Sequence, residues 1–301
     1  MSTSKISLYG ALCANAAIAI IKFAAAVFSG SSAMLSEGIH SAVDTSNELL
    51  LLLGVRRSKK PADKNHPFGY GHELYFWSLI VAILFFCLGG GISIYEGINH
   101  IQNPQLIKNP FWNYIVLASA FLFDAISLSI SLYNFLKPPQ PKINFWKKLH
   151  LSKDPGFFVI IFEDMADLIG VSLAFTGIVL SVYFQNPVYD GIASILIGTV
   201  LATVAIILII ESRSLIIGES AKESVIKEIY LIVNSDADVI GLNPPLTMHL
   251  SPHDILLALE VRFTNDLKTA NLEKAISRLK QNIKNKLPEI KHIYITVSSL
   301  K

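Results

Sequence analysis

SAMLSEGIHSAVDTSNELLLLLGV, Ser32 to Val55, is the stretch that decides how the chain is read. A helix crosses a bilayer with about 20 predominantly apolar residues, and this run is long enough. Yet it carries His40 and Asp44, four residues apart and therefore on one helix face. Ser36, Glu37, Ser41 and Asn47 lie on or beside that face. An ionisable side chain at membrane depth costs roughly 2.5–3.5 kcal/mol even on the lenient insertion scale. Two of them on one face point to half of a metal-ion site, around which the rest of the chain is organised.

The composition agrees with a membrane setting. The 301 residues are 52% hydrophobic and 16% charged, with mean hydropathy +0.49. A soluble chain carries about 25% charged residues, so a wholly soluble protein is excluded. The net charge of +2 says little by itself, and nucleic acid is not expected as a partner. Cys13 and Cys87 both fall in apolar runs and read as small core residues, not as a disulfide or a thiolate site. The first apolar run lacks a cleavage pattern and reads as a helix that is retained.

Working outward, six apolar spans are expected: 6–29, 32–55, 75–98, 112–136, 156–182 and 187–211. The link Ser29-Gly30-Ser31-Ser32 makes the first two a tight antiparallel hairpin. The 2–3 loop holds Arg56, Arg57, Lys59, Lys60 and Lys64, and the 4–5 loop holds Lys137, Lys142, Lys147, Lys148 and Lys153. The 1–2 and 5–6 loops hold none. Positive loops stay inside, so both termini are expected in the cytoplasm, with a bacterial-type inner (plasma) membrane as the setting.

Beyond Glu211 the pattern changes, and a domain boundary is set between residues 213 and 214. Ser220-Ala-Lys-Glu223 reads as a capping box. Val225, Ile226, Ile229, Ile232 and Val233 follow at helical spacing. Leu257, Leu259, Val261 and Phe263 alternate as in a half-buried strand. Leu272, Ile276, Leu279 and Ile283 mark a second helix. Ile293, Ile295 and Val297 mark a last strand, with a further one around Leu246 to Leu250. The expected order is α-β-β-α-β in about 85 residues, a small sheet with helices on one face.

The fifth span, FFVIIFEDMADLIGV, brings Glu163, Asp164 and Asp167 within one turn. Three dry, ionised carboxylates would repel one another, so a cation, a shared proton or water must relieve them. His40 and Asp44 facing these acids supply nitrogen and oxygen ligands for a divalent ion. Zinc takes four such ligands in a tetrahedron, and the carboxylate excess leaves manganese, cobalt and iron(II) open.

Other polar residues are read more plainly. Asp124, with Ser127 and Ser131 on its face, is a proton relay or a hydrogen-bonded structural acid. Lys22 snorkels or pairs with an acid. Gly89-Gly90-Gly91 permits close helix packing. In the 2–3 loop, Asp63, His66 and His72 are candidate ligands for a second metal. His249, His253, Glu260 and His292 are scattered along the tail without a ligand spacing.

These residues resemble the cation diffusion facilitator family, the zinc-transporter type of secondary transporter. The resemblance is carried by SSAMLSEGIHSAVD, by the HPFGYGHE loop and by a tail entered through ESRSLIIGESA. It implies a six-helix transmembrane cation-efflux domain (1–213) and a cytoplasmic ferredoxin-like α+β dimerisation domain (214–301). It also implies proton-coupled export of divalent metal, zinc first, by a homodimer with no prosthetic group. The membrane site is expected to join helices 2 and 5 through His40 and Asp44. Aligned on Gly170-Val171, the fifth-helix acid falls on Asp164, with Ile160 where a histidine is usual; aligned on spacing, the pair falls on Glu163 and Asp167. Asp164 is favoured, with Glu163 or Asp167 completing the site, as in a divergent branch carrying Glu-Asp there. The loop site keeps Asp63 and His66, with Tyr70 in place of a second histidine.

Antiport requires protons to displace the ion, because ligands must be deprotonated to hold it. The alternatives are a metal-sensing scaffold that binds without moving the ion, and a channel. A metalloenzyme is not expected: no HExxH pattern occurs, since His72-Glu73 is followed by Leu, Tyr and Phe.

Overall fold

The computed structural model describes residues 3–136, 155–264 and 267–298. The lysines of the 4–5 loop, Lys137 to Lys153, and the Cys13 side chain lie outside the described part. The chain forms two compact units, residues 1–56 with 76–212, and residues 57–75 with 213–301.

The first unit is helical: α1 (Thr3–Ser29), α2 (Ser32–Ser58), α3 (Glu73–Leu84), a π turn (Phe85–Gly91), α4 (Ile92–Gln102), α5 (Pro110–Leu136), α6 (Pro155–Tyr183) and α7 (Val188–Ile217). Four helices among the described residues are long and apolar enough to cross a membrane: Glu73–Gln102, Pro110–Leu136, Phe158–Tyr183 and Val188–Ile217. The described apolar part of α1 is shorter, Asn15–Ser29. Helix α2 has spanning length but is polar on the inside. Ser32, Ser36, Glu37, His40, Ser41 and Asn47 are all buried, while Leu49 is half exposed. Its polar face is turned inward, away from the lipid side, which is where intramembrane polar groups belong.

Gly30, at φ +71°, turns α1 into α2, forming the expected hairpin. The start of α2 is held by Asp190, at the head of α7. Its carboxylate accepts from the Ser31 hydroxyl (2.6 Å), the Ser32 amide (2.5 Å) and the Ser32 hydroxyl (3.0 Å). A negative group at a helix N-terminus is favourable, and this one is fully buried.

Glycines bring the 73–102 helix against α7. A Cβ on Gly97 would lie 2.6 Å from the Gly191 carbonyl, and one on Gly198 would lie 2.7 Å from the Gly90 carbonyl. Small residues let backbones meet in this way, so Gly90 does serve close packing. Cys87 is exposed, contrary to its reading as a core residue: the π turn directs it outward while Phe85, Gly89 and Gly90 are buried.

The second unit contains α8 (Glu223–Asn234), β1 (Val239–Leu242), β2 (Leu246–Ser251), β3 (Asp254–Phe263), α9 (Thr269–Lys286) and β4 (Ile290–Val297). Strand β3 is central. It pairs antiparallel with β2 over 254–258 and with β1 near its end, and parallel with β4 along most of its length. Ile255, Leu257, Leu259, Val261 and Phe263 are buried, packing with Ile229, Ile232, Leu279 and Ile283 of the two helices. The order is thus α-β-β-β-α-β. Strand β1 escaped the sequence reading because it is four residues long, contains Gly241 and has an irregular register. The capping box does not form. Lys222 stands at the head of α8 with no side-chain cap, and Ser220 pairs with the Thr247 hydroxyl on β2 at 2.8 Å.

Segment 57–75 packs within this second unit. A Cβ on Gly71 would lie 2.3 Å from the Leu250 carbonyl, and the Phe68 ring stands edge-on to His292 at 5.2 Å.

Candidate metal centre

Three ligand atoms from two helices converge inside the first unit. His40 Nε2 lies 3.2 Å from Asp44 Oδ2 and 2.9 Å from Asp167 Oδ1. One donor atom from each residue falls within 4.8 Å of both others. The i, i+4 spacing on α2 supplies the first two, and α6 presents the third. The imidazole is fully buried, and the Phe85 ring stands edge-on to it at 5.4 Å. Neither ring nitrogen of His40 has a well-formed hydrogen bond, and Asp44 Oδ1 has none. Buried polar atoms are ordinarily paired; here the imidazole meets two carboxylates at contact distance without aligned hydrogen bonds. One imidazole and two carboxylates suit a divalent ion, whose charge the two acids neutralise.

The other expected ligands sit elsewhere in the same cavity wall. Glu163 accepts from Asn47 Nδ2 at 2.8 Å. Asp164 accepts from the Ser127 hydroxyl at 3.1 Å and the Ser131 hydroxyl at 3.1 Å, both on α5. Thus Asp167 is the fifth-span acid that meets His40 and Asp44, whereas Asp164, favoured from the sequence, faces the serines of α5. Asp124 does not share those serines' hydrogen bonds; its Oδ2 has no partner.

Asp44, Glu48, Asp124, Glu163, Asp164 and Asp167 all line one cavity of about 660 Å³. Its other walls include Leu51, Leu52 and Val55 from the last turns of α2 and Ile160 from early in α6. The cavity therefore extends toward the end of the bundle where α2 finishes and α6 begins. Asn15 of α1 donates to Glu48 at 2.7 Å on this side.

Two partnerships were not identified from the sequence. Lys22 is buried and follows the second of its two readings, pairing with an acid: its ammonium donates to Glu37 Oε2 at 2.9 Å. The available signal was Glu37 beside the His40 face. The Asp190 cap had none, since nothing in the local pattern ties it to Ser31 and Ser32.

In the 57–75 segment, Asp63 accepts from the Tyr70 hydroxyl (2.6 Å) and from the amides of Asn65 (2.9 Å) and His66 (2.8 Å). The Tyr70 hydrogen bond, with the amides behind it, holds the Asp63 carboxyl below the usual range. His66 Nδ1 lies 3.5 Å from Asp63. Burial pushes His72 down, and it does not join these two. No three-donor cluster forms there among the described residues.

Fold and site together define a helical membrane protein with divalent-cation donors inside its bundle and a small C-terminal sheet unit. The cation efflux transmembrane domain matches residues 8–217, and the chain belongs to the cation diffusion facilitator family. It is 32% identical to the mouse protein named proton-coupled zinc antiporter SLC30A9, mitochondrial, over 88% of this chain and 47% of that one. It is 28% identical to metal tolerance protein C4 of Arabidopsis thaliana, over 89% and 59%. It is 22% identical to magnetosome protein MamB of Magnetospira, over 91% and 88%. The chain spans about half the length of the first of these relatives.

Proposed function

We propose that the chain is a secondary transporter that moves divalent cations out of the cytosol in exchange for protons. Zinc is the first substrate; manganese, cobalt and iron(II) are the alternatives. The observation that carries this reading is the meeting of His40, Asp44 and Asp167 within 4.8 Å on an acid-lined cavity. The cavity runs toward the ends of α2 and α6 that carry the basic loops, the cytosolic side by the loop-charge rule. A site open to that side is ready to load from the cytosol. The name of the mouse relative, which couples zinc to protons, supports the same reading.

The cycle follows from ligand chemistry. The ion enters past Glu48 and Glu163 and binds to His40, Asp44 and Asp167. Helices rock to expose the site to the far side, as in alternating access. Protons there compete for the imidazole and carboxylates and expel the ion. Six spans, cytoplasmic termini and an inner-membrane setting complete the topology. The tail serves as a dimerisation domain for a homodimer, and the protein acts without a prosthetic group and is not an enzyme.

The test is metal flux in proteoliposomes with a pH dye inside. Metal movement with opposite proton movement, lost in Asp44→Asn, is the expected result. Tight metal binding without flux would favour the metal-sensing scaffold instead.

A further inference from the structure

We propose that Lys22 withholds Glu37 from the metal centre, and that this pairing sets the affinity of the centre for divalent ions. The inference rests on the transport-site reading above. Glu37-Gly38-Ile39-His40 is a Glu-x-x-His sequence on α2. In helical bundles that bind metal through carboxylates, this i, i+3 spacing directs both side chains to the same metal site. Glu37 thus stands at the spacing of a third acidic ligand, although the converging donors are His40, Asp44 and Asp167.

Instead it is occupied. Its Oε2 takes the Lys22 ammonium at 2.9 Å, with both side chains essentially without solvent exposure. Its Oε1 has no hydrogen-bond partner. That idle oxygen lies in the seam between α2 and α6, where a Cβ on Gly170 would come within 2.5 Å of it. Gly170 is one turn past Asp167 on α6, and Glu37 is one turn before His40 on α2. The same two helices supply the metal donors, so the spare carboxylate is a neighbour of the centre. The charge of Lys22 also reaches Asp167 and Asp124.

Charge balance explains why such a withdrawal matters. Asp44 and Asp167 neutralise a divalent ion. A third carboxylate would leave a net negative, dry site that holds the ion harder. A carrier must release its ion, so tighter binding slows turnover. A buried ion pair that loses one partner leaves an uncompensated charge. A Glu37 deprived of Lys22 meets that demand by taking a share of the metal.

The experiment is zinc titration calorimetry on the purified full chain in detergent, paired with flux in proteoliposomes. Lys22→Met should bind zinc about tenfold tighter than the parent and transport it more slowly. The cobalt(II) absorption spectrum of that variant should differ from the parent's, reporting a new ligand. Lys22→Met with Glu37→Leu should return binding to within about threefold of the parent, since buried pairs tolerate replacement by apolar residues. Should Lys22→Met fail to fold, Lys22→Gln keeps a hydrogen bond to Glu37 without the charge, and it too should tighten binding. Parental or weaker zinc binding in the folded single variant, with an unchanged cobalt spectrum, overturns the inference and leaves Lys22–Glu37 a packing element. Asp167→Asn separates the two readings. If zinc binding to the parent does not depend on Asp167, the transport-site reading itself falls.

Discussion

Two His–Asp pairs in this molecule have the same residue types and opposite surroundings. His66 and Asp63 lie in the 57–75 segment, each about half exposed. Every hydrogen bond Asp63 accepts comes from its own loop, from Tyr70, Asn65 and His66. His40 and Asp44 lie inside the bundle with Asp167 against them, and both His40 nitrogens and Asp44 Oδ1 lack well-formed hydrogen bonds. The difference shows what separates ligands from loop residues. Residue type and spacing nominate both pairs. Burial and the convergence of a third acid from another helix distinguish His40 and Asp44, whereas Asp63 already spends its lone pairs on holding a turn.

The largest expected effect follows directly. His40→Ala and Asp167→Asn should each reduce metal flux to background in proteoliposomes while leaving helical content by circular dichroism unchanged. Asp164→Asn is the sharper variant. Its carboxylate faces Ser127 and Ser131, and an amide oxygen can still accept from those hydroxyls. It should slow flux without abolishing it. Equal loss in Asp164→Asn and Asp167→Asn would erase the distinction drawn between the two acids.

A packing change ranks next. Gly97→Ala places a Cβ 2.6 Å from the Gly191 carbonyl, a backbone atom that cannot swing away. Overpacking of this kind costs about 1–3 kcal/mol, which thermal unfolding in detergent would read as a lowered midpoint. Flux per folded molecule should be nearly preserved, because the contact is remote from His40. Gly30→Ala would also be strained, through its positive φ.

How far the sequence could be read follows from which interactions are local. The His40–Asp44 pair was legible because i, i+4 spacing is a property of one helix. The strongly periodic strand 257–263 was legible because alternation is local too. The choice among Glu163, Asp164 and Asp167 was not. It depends on the rotation of α6 against α2 and α5, and all three acids share one turn. The Lys22–Glu37 pair joins residues from two helices across the first hairpin, and the Asp190 cap joins positions more than 150 apart in the chain. No pattern within a helix encodes such pairings. Strand β1 was missed for the opposite reason: it is too short for alternation to register, and β3 supplies its conformation by pairing.

The smallest effect is expected in the loop. Asp63→Asn and His66→Ala should leave flux within about twofold of the parent, as surface substitutions away from special features usually do. The pH dependence sharpens the contrast. Tyr70 and two backbone amides stabilise the charged Asp63 carboxylate. A carboxyl held below its ordinary value stabilises the turn fully above that ordinary value. This contribution is lost as pH falls through the lowered one. Between about pH 5 and 8 the Asp63 turn therefore stays formed. Metal binding in the bundle should weaken with acidification there, because protons compete for the donors. The binding profile of Asp63→Asn should overlay the parent's across the window. A profile that moves with Asp63→Asn but not with His40→Ala would reverse the assignment of the two pairs and make the loop the metal site.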